Sequence, residues 1–164
     1  MLSLDPITRD NLPDARGVRV DSGPRDPPVR SAADIMLEKC LARSRGQVWH
    51  PFLIRKAGAP VGIVAVSIDR VDRLGGAQSA WVHNFIIDGE EQGQGIGRAA
   101  LAAIFDWLRR EHPAVRRVGL NVRQGNAAAL ALYSSVGFGP VGRTRDGREI
   151  MLIEFPRPDR KSRE

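Results

Sequence analysis

The residues of this chain best suited to chemistry form one short run, Gln92-Gly93-Gln94-Gly95-Ile96-Gly97-Arg98, between the apolar Phe85-Ile86-Ile87 and a helical pattern that opens at Gly95. A glycine-rich turn that leaves a buried strand and starts a helix suits an anion. The first backbone N–H groups of the helix have no partner within it and sit at the positive end of its dipole. Gly93, Gly95 and Gly97 carry no Cβ to hold a phosphate away from those donors. Anion binding by the amides from Gln92 to Arg98 is the first expectation, and three kinds of loop use glycines in this way. The dinucleotide fingerprint G-x-G-x-x-G/A fits in the register that starts at Gly95 and ends on Ala100, but the preceding strands read as an antiparallel meander and not as alternating βαβ units. A nucleotide P-loop needs Gly-Lys-Ser/Thr, and neither Gly95 nor Gly97 is followed by lysine. A glycine-rich turn with no ligand is the plain alternative.

Proton chemistry has fewer candidates. Tyr133 is the only tyrosine, and its helical spacing with Leu130 and Val136 alone would make it an aromatic core residue with a satisfied hydroxyl. His83 lies in a strand pattern before Ile87, and its ordinary pKa suits proton transfer near neutrality. A lone strand histidine is more often packed or simply exposed. Asp88, Glu90 and Glu91 beside the loop either attract an amine or are solvated. The lone Cys40 forms no internal disulfide, and no Cys/His cluster has zinc spacing, so neither redox nor metal chemistry is expected.

These residues need elements to hold them. Residues 1 to 34 suggest a short strand, a short helix near Asn11 to Val20 and a mobile loop around Pro24, Pro27 and Pro28. Ala33, Met36, Leu37, Cys40 and Leu41 recur at helical spacing across Ser31 to Ser44, with Ser31 as N-cap. PFLIRKAGAPVGIVAVSI reads as an antiparallel hairpin turning near Gly58 and Pro60. After a polar break over Arg73 to Gln78, SAWVHNFIID alternates from Trp81 to Phe85 and then becomes continuously apolar, as a central strand buried on both faces would. Ile96, Ala100, Leu101, Ile104, Trp107 and Leu108 stripe a helix from Gly95 to Arg110, which Pro113 ends. RRVGLNV is a strand and NAAALALYSSV a helix stopped at Gly137. Phe138 to Arg143 and Glu149 to Phe155 form a hairpin across Asp146-Gly147. The expected fold is α/β in the α+β sense, one domain over residues 1–156, with a disordered charged tail over 157–164.

Composition narrows the class. The chain has 164 residues, 42% hydrophobic and 27% charged, enough to bury a core without disulfides. The opening MLSLDPITRDNLPD lacks a basic segment followed by an apolar core, and no apolar run approaches membrane-spanning length, so a cytoplasmic location and no membrane partner are expected. The formal charge is +6, with 22 Arg and 3 Lys. Arginines scatter from Arg9 to Arg163 instead of forming a stripe, which argues against a nucleic-acid partner, while the phosphates of a bound substrate would profit from them.

Two segments together resemble the GCN5-related N-acetyltransferases. Gln92-Gly93-Gln94-Gly95-Ile96-Gly97 matches Q/R-x-x-G-x-G/A at a strand-to-helix junction. Asn126, Ala129, Leu132, Tyr133, Gly137 and Phe138 occupy every position of N-x-x-A-x-x-L-Y-x-x-x-G-F. The resemblance covers about Trp81 to Phe138 well and the flanks by strand order. It implies a mixed, mainly antiparallel sheet of six or seven strands with about four helices, and acetyl-CoA as cosubstrate with no metal. By the same resemblance the amides of Gln92, Gly93, Gln94, Gly95, Ile96, Gly97 and Arg98 hold the pyrophosphate, and backbone groups of Ile87 orient the pantetheine arm where the strand splays from its neighbour. Asn126, with Ala129 in the same segment, meets that arm, and Tyr133 acts as general acid toward the CoA sulfur. The usual proline is replaced by Gly89. His83 is the expected base. The acceptor is a primary amine attacked directly in a ternary complex, and the texture of both segments is similar to bacterial polyamine or diamine acetyltransferases. A basic protein repels a polycation, which counts against that acceptor, and other small amines, amino acids, aminoglycosides and protein N-termini stay open. Dimers are usual in the family, which leaves a homodimer open. The rival readings are a CoA-binding sensor without turnover and, more distantly, a nucleic-acid binder.

Overall fold

The structure is a computed structural model that describes residues 1–20, 30–42, 46–70 and 78–155. The proline-rich stretch around Pro24, Pro27 and Pro28, the expected end of the second helix at Ser44, most of the polar break and the charged tail 157–164 lie outside the described residues. Seven strands, β1 (Leu2–Pro6), β2 (Gln47–Lys56), β3 (Ala59–Asp69), β4 (Gln78–Ile87), β5 (Val115–Val122), β6 (Gly139–Arg143) and β7 (Glu149–Glu154), form one sheet in the order β1-β2-β3-β4-β5-β7-β6. Every neighbouring pair is antiparallel except β4 with β5. That parallel pair needs a crossover, which the longest helix supplies. The helices are α1 (Leu12–Gly17), α2 (Ala32–Leu41), α3 (Ile96–Glu111) and α4 (Ala127–Val136). The mixed α/β architecture expected from the sequence is the one observed.

Strand alternation sorts the side chains into two cores. Val64, Val66, Val82, Val118 and Leu120 face α3 and α4, where Ile96, Ala100, Leu101, Ile104, Phe105 and Leu108 are buried. Phe105 extends the expected stripe of α3, and Trp107 is half-buried at its margin. On the other face Leu53, Ile63 and Ala65 meet Ala15 and Val18 from α1 and its end, and Ala33, Met36 and Cys40 from α2. Ser31 caps α2 by accepting from the Asp34 amide at 3.0 Å. Leu41, expected within the buried stripe, is 86% exposed instead, because it falls on the last residue of the helix, past the sheet that the helix covers.

Two irregularities in β4 make the site. Pairing with β5 runs only from Gln78↔Val115 to Trp81↔Gly119, so beyond Trp81 the two parallel strands part. The register against β3 also slips: Ile63 pairs with Ile86 but Ala65 with His83, leaving an extra residue on β4. Asn84, in that bulge, has φ +48, a conformation that asparagine tolerates better than most residues. The bulge shifts the alternation by one. Ala80 and Val82 face α3 before it, and Phe85 and Ile87 face the same core after it, whereas strict alternation would have sent those two to the opposite side. The end of β4 is therefore half-exposed across Asn84 to Ile87 and not buried on both faces as expected. Its apolar side chains line an opening.

Candidate active site

A short 3₁₀ turn over Gly89–Glu91 carries the chain from β4 into α3. The Asp88 carboxylate holds this turn by accepting from the Glu90 amide at 3.1 Å, and it also accepts from the Arg19 amide at 3.0 Å, so of the two alternatives read for it, attracting an amine or being solvated, it is instead engaged in holding the backbone. Gly93 and Gly95 have φ +77 and +75, and Gly95 is the N-cap of α3. The glycines at these two positions answer a backbone requirement. Gly97 differs, since a Cβ there would lie 3.0 Å from Leu132 Cδ2. Its missing side chain lets α3 and α4 approach. No acidic residue occupies the first turn of α3, which leaves the positive end of its dipole uncancelled.

The opening between the parting strands, the glycine loop and α4 is a cleft of about 400 Å³. It brings together Ile87, Gln92, Gly93, Gly95, Ile96, Gly97, Arg98, Ala129 and Tyr133 from the expected set. Phe85, Glu91, Ala128 and Leu132 also line it. Leu132 stands inside the second motif, so the sequence signalled it, whereas Phe85 enters through a bulge that no motif marks. Gln94, Asn126 and His83 are not among the lining residues. Asn126 instead caps α4, its side-chain oxygen accepting from the Ala129 amide at 3.1 Å, which leaves its amide nitrogen free of that bond. Two side chains of the loop brace the walls. Gln92 Nε2 donates to the Ile87 carbonyl at 3.1 Å, and the Arg98 guanidinium donates to the Ser135 hydroxyl at 3.0 Å on the last turn of α4.

Tyr133 is 9% exposed and its ring lies edge-on to Phe138, with centroids 5.8 Å apart. Burial pushes its hydroxyl up to about 12, because the phenolate would lose its hydration. His83 sits on the other side of β4. Its Nε2 lies 2.8 Å from Ser67 Oγ, and its ring stacks on Trp49 at 4.2 Å. Burial, with Lys39 adding to it, lowers its pKa to about 4, so the imidazole is neutral at physiological pH. The structure thus does not bring His83 and Tyr133 into one cleft. Among the described residues no group of three His, Cys, Asp or Glu side chains is placed to hold a metal, and no helix is long and apolar enough to cross a membrane.

A strand that parts from its parallel neighbour is thus followed by a glycine-capped helix whose positive end is uncancelled, beside a cleft lined largely by apolar side chains and by the buried phenol of Tyr133, an arrangement suited to an anionic ligand with an apolar arm. Residues 15–138 match the acetyltransferase (GNAT) family, and the chain belongs to it. It is similar to the [ribosomal protein bS18]-alanine N-acetyltransferase of Escherichia coli strain K12, with 34% identity over 124 residues, 71% of this chain and 76% of that one. The crystal structure of the Escherichia coli ribosomal-protein-S18-alanine N-acetyltransferase superposes with a TM-score of 0.60 at 25% identity, over 94% of each chain. The N-alpha-acetyltransferase RimI of Mycobacterium tuberculosis is 41% identical over 90 residues, 54% of each chain. A spermidine N-acetyltransferase from Vibrio cholerae, solved with CoA and spermine, shares the fold with a TM-score of 0.60 at 20% identity over 93% of this chain and 95% of that one. The chain is accordingly an acetyl-CoA-dependent N-acyltransferase, and its acceptor is an amine.

Proposed function

We propose that this protein, as one domain over residues 1–156, transfers the acetyl group of acetyl-CoA to the N-terminal α-amine of a polypeptide by direct attack in a ternary complex. The observation that carries the reading is the parting of β4 and β5 beyond Trp81 and Gly119 at the glycine-capped start of α3. The amides from Gln92 to Arg98 hold the pyrophosphate at the helix N-terminus. Backbone groups at the end of β4, near Ile87, and the amide nitrogen of Asn126 hold the pantetheine arm, while Leu132 and Ala129 wall it on the α4 side. In this reading the thioester lies near Tyr133, which lines the same cleft.

In the reaction the amine lone pair attacks the thioester carbonyl carbon, a C–N bond forms and the C–S bond breaks. The departing sulfur gains a proton from Tyr133, and the new amide nitrogen loses one to solvent, from which the phenolate is reprotonated. A phenol near pKa 12 is a weaker acid than an exposed thiol, at about 8.5. The burial that raises the phenol also raises the thiolate in the same cleft, so the donation is less uphill than the two isolated values imply. The nitrogen must arrive neutral. Among the described residues of the cleft, Glu91, Arg98 and Tyr133 carry the ionisable side chains, and His83, near pKa 4, draws a proton weakly at neutral pH. A terminal α-amine, with a pKa of about 8, supplies a neutral fraction unaided, whereas a polyamine nitrogen near 10 needs a base. The chemistry of the site and the named activity of the relatives at 34% and 41% identity both favour the α-amine over the polyamine.

The test follows free thiol with acetyl-CoA against a panel of peptides with free or blocked N-termini and against spermidine. Thiol release with free N-termini alone is expected. Release only with spermidine overturns the acceptor, and saturable CoA binding without release from any amine leaves a sensor.

A further inference from the structure

On the face of the sheet opposite α3 and α4, α1 and α2 pack over β2, β3 and β4, burying Leu53, Ile63 and Ala65. On the same face Trp81, Ile150 and Leu152 are half-exposed and Asn121 is exposed, so among the described residues the half of the sheet formed by β5, β7 and β6 is the less covered one. The side chains there fall in rows across the strands. Trp81, Gly119 and Leu152 are direct register partners. A Cβ on Gly119 would lie 2.5 Å from the Trp81 ring and 2.8 Å from Leu152 Cδ2, so the six-membered ring of the indole and the leucine both reach over the glycine and form one half-exposed apolar shelf. The next row pairs exposed Asn121 with half-exposed Ile150, at the level where β4 has already left β5. The shelf therefore borders the gap on the side away from the cleft.

Beyond these rows comes a basic rim. Arg123 follows β5 directly, and the β6–β7 turn carrying Arg145 and Arg148 lies alongside, since a Cβ on Gly147 would fall 4.0 Å from Gln124 Oε1. The carboxylates of this rim are already engaged, Asp146 by Thr144 and Arg148, and Glu149 by Arg143 at 3.5 Å. Arg123 and Arg145 make no ion pair among the described residues. A polycation meets repulsion there, and an acidic segment meets attraction.

Resting on the α-amine reading above, we propose that the acceptor is an extended polypeptide N-terminus laid across this open half-sheet. Its first side chain is apolar and rests on the Trp81–Leu152 shelf, and the residues that follow are acidic and pass the arginine rim. The unpaired strand edges beyond Trp81 and Gly119 offer main-chain donors and acceptors that suit such a segment.

The experiment compares kcat/KM for peptides beginning Leu or Gly, each followed by Asp-Glu or Lys-Lys, with the wild type, Arg123→Glu and Trp81→Ala, alongside acetyl-CoA affinity. In the wild type the acidic peptides are expected to lead the basic ones by about fivefold or more, as a few exposed charge pairs allow. Arg123→Glu should shrink or reverse that ratio. Trp81→Ala should cost the Leu peptides about tenfold, the scale of a lost apolar contact, and the Gly peptides less than about twofold. Variants that fold and bind acetyl-CoA as the wild type does make the ratios interpretable, and the wild-type peptide panel stands without them. Acetylation with equal rates for acidic and basic peptides, or faster for basic ones, overturns the proposal and leaves the acetyltransferase reading intact. No acetylation of any peptide overturns both.

Discussion

Tyr133 is held neutral, and that state sets both its chemistry and its linkage to pH. With its hydroxyl pushed up to about 12 it keeps its proton at every working pH. The pH–rate profile should therefore rise through the acceptor amine near 8 and stay flat to at least pH 10, as stopped assays over pH 6–10 would show. An earlier decline would point to a different acid. Tyr133→Phe should lower turnover by about 10²-fold or more while acetyl-CoA affinity by calorimetry moves less than about twofold. His83 works in the opposite direction. Its folded pKa, about 4, lies below the ordinary 6.5, so the unfolded chain binds the extra proton first. The stability it contributes is present above about pH 6.5 and is lost as pH falls toward 4, up to about 3 kcal/mol. His50 and His112 shift the same way, so the His83 share is the part of the acid slope in urea unfolding that His83→Gln removes. A slope unchanged by that substitution would show that burial of His83 is not what acid undoes.

At the scale of elements, the bulge in β4 decides which side chains reach the cleft. Asn84→Val puts a β-branched residue at φ +48, which should cost about 1–2 kcal/mol and weaken acetyl-CoA binding, because Phe85 and Ile87 lose their phase. Asn84→Gly should restore both, and a loss in the glycine variant equal to that in valine would place the effect in the side chain and its 3.4 Å contact with Lys39. This bulge also marks where the sequence stopped being legible. Long-period signals survived: the α3 stripe, the Ser31 cap, both hairpins and the two glycine-bearing motifs depend on local spacing, and each element formed where its spacing placed it. The extra residue in β4 depends on a register against β3 that is fixed by distant pairs, and no local signal separates Asn84-Phe85 from ordinary alternation. The face of His83 was illegible for the same reason: a strand position names two faces, and only the sheet order shows which one meets α2. Gly119 is silent in the sequence, and the motif marks Gly97 without its packing against α4, for a related reason: both contacts, with Trp81 and Leu132, lie far away in the chain.

The described residues form one sheet with a core on each side, and the proposed ligand site lies where the sheet is interrupted. The strands that part at Trp81 and Gly119 belong to the central parallel pair, so the two halves of the sheet, β1 to β4 and β5 to β6, join through only four register pairs and the helix α3. A ligand seated between them contacts β4, the glycine loop and α4 at once, and so binds both halves only when they are correctly placed. Binding to the folded state alone stabilises by mass action, about 2.7 kcal/mol at a hundredfold excess over Kd. For a chain of 164 residues that corresponds to a rise in Tm of roughly 5–10 °C. The bridge adds a sharper expectation, because hydrogen exchange of the amides at the end of β4, in the loop from Gln92 to Arg98 and at the start of α4 should slow most. The distant β1–β2 ladder should change only by the global amount. A cleft that served one half alone would protect the glycine loop but leave the first turn of α4 unaltered, and Asn126→Asp separates the two outcomes: it keeps an oxygen that accepts from the Ala129 amide and removes the nitrogen assigned to the pantetheine arm. If α4 is one side of the bridge, that variant should lose part of the ligand-induced rise in Tm while its Tm without acetyl-CoA stays close to wild type, whereas an unaltered rise would show that α4 takes no part in holding the ligand.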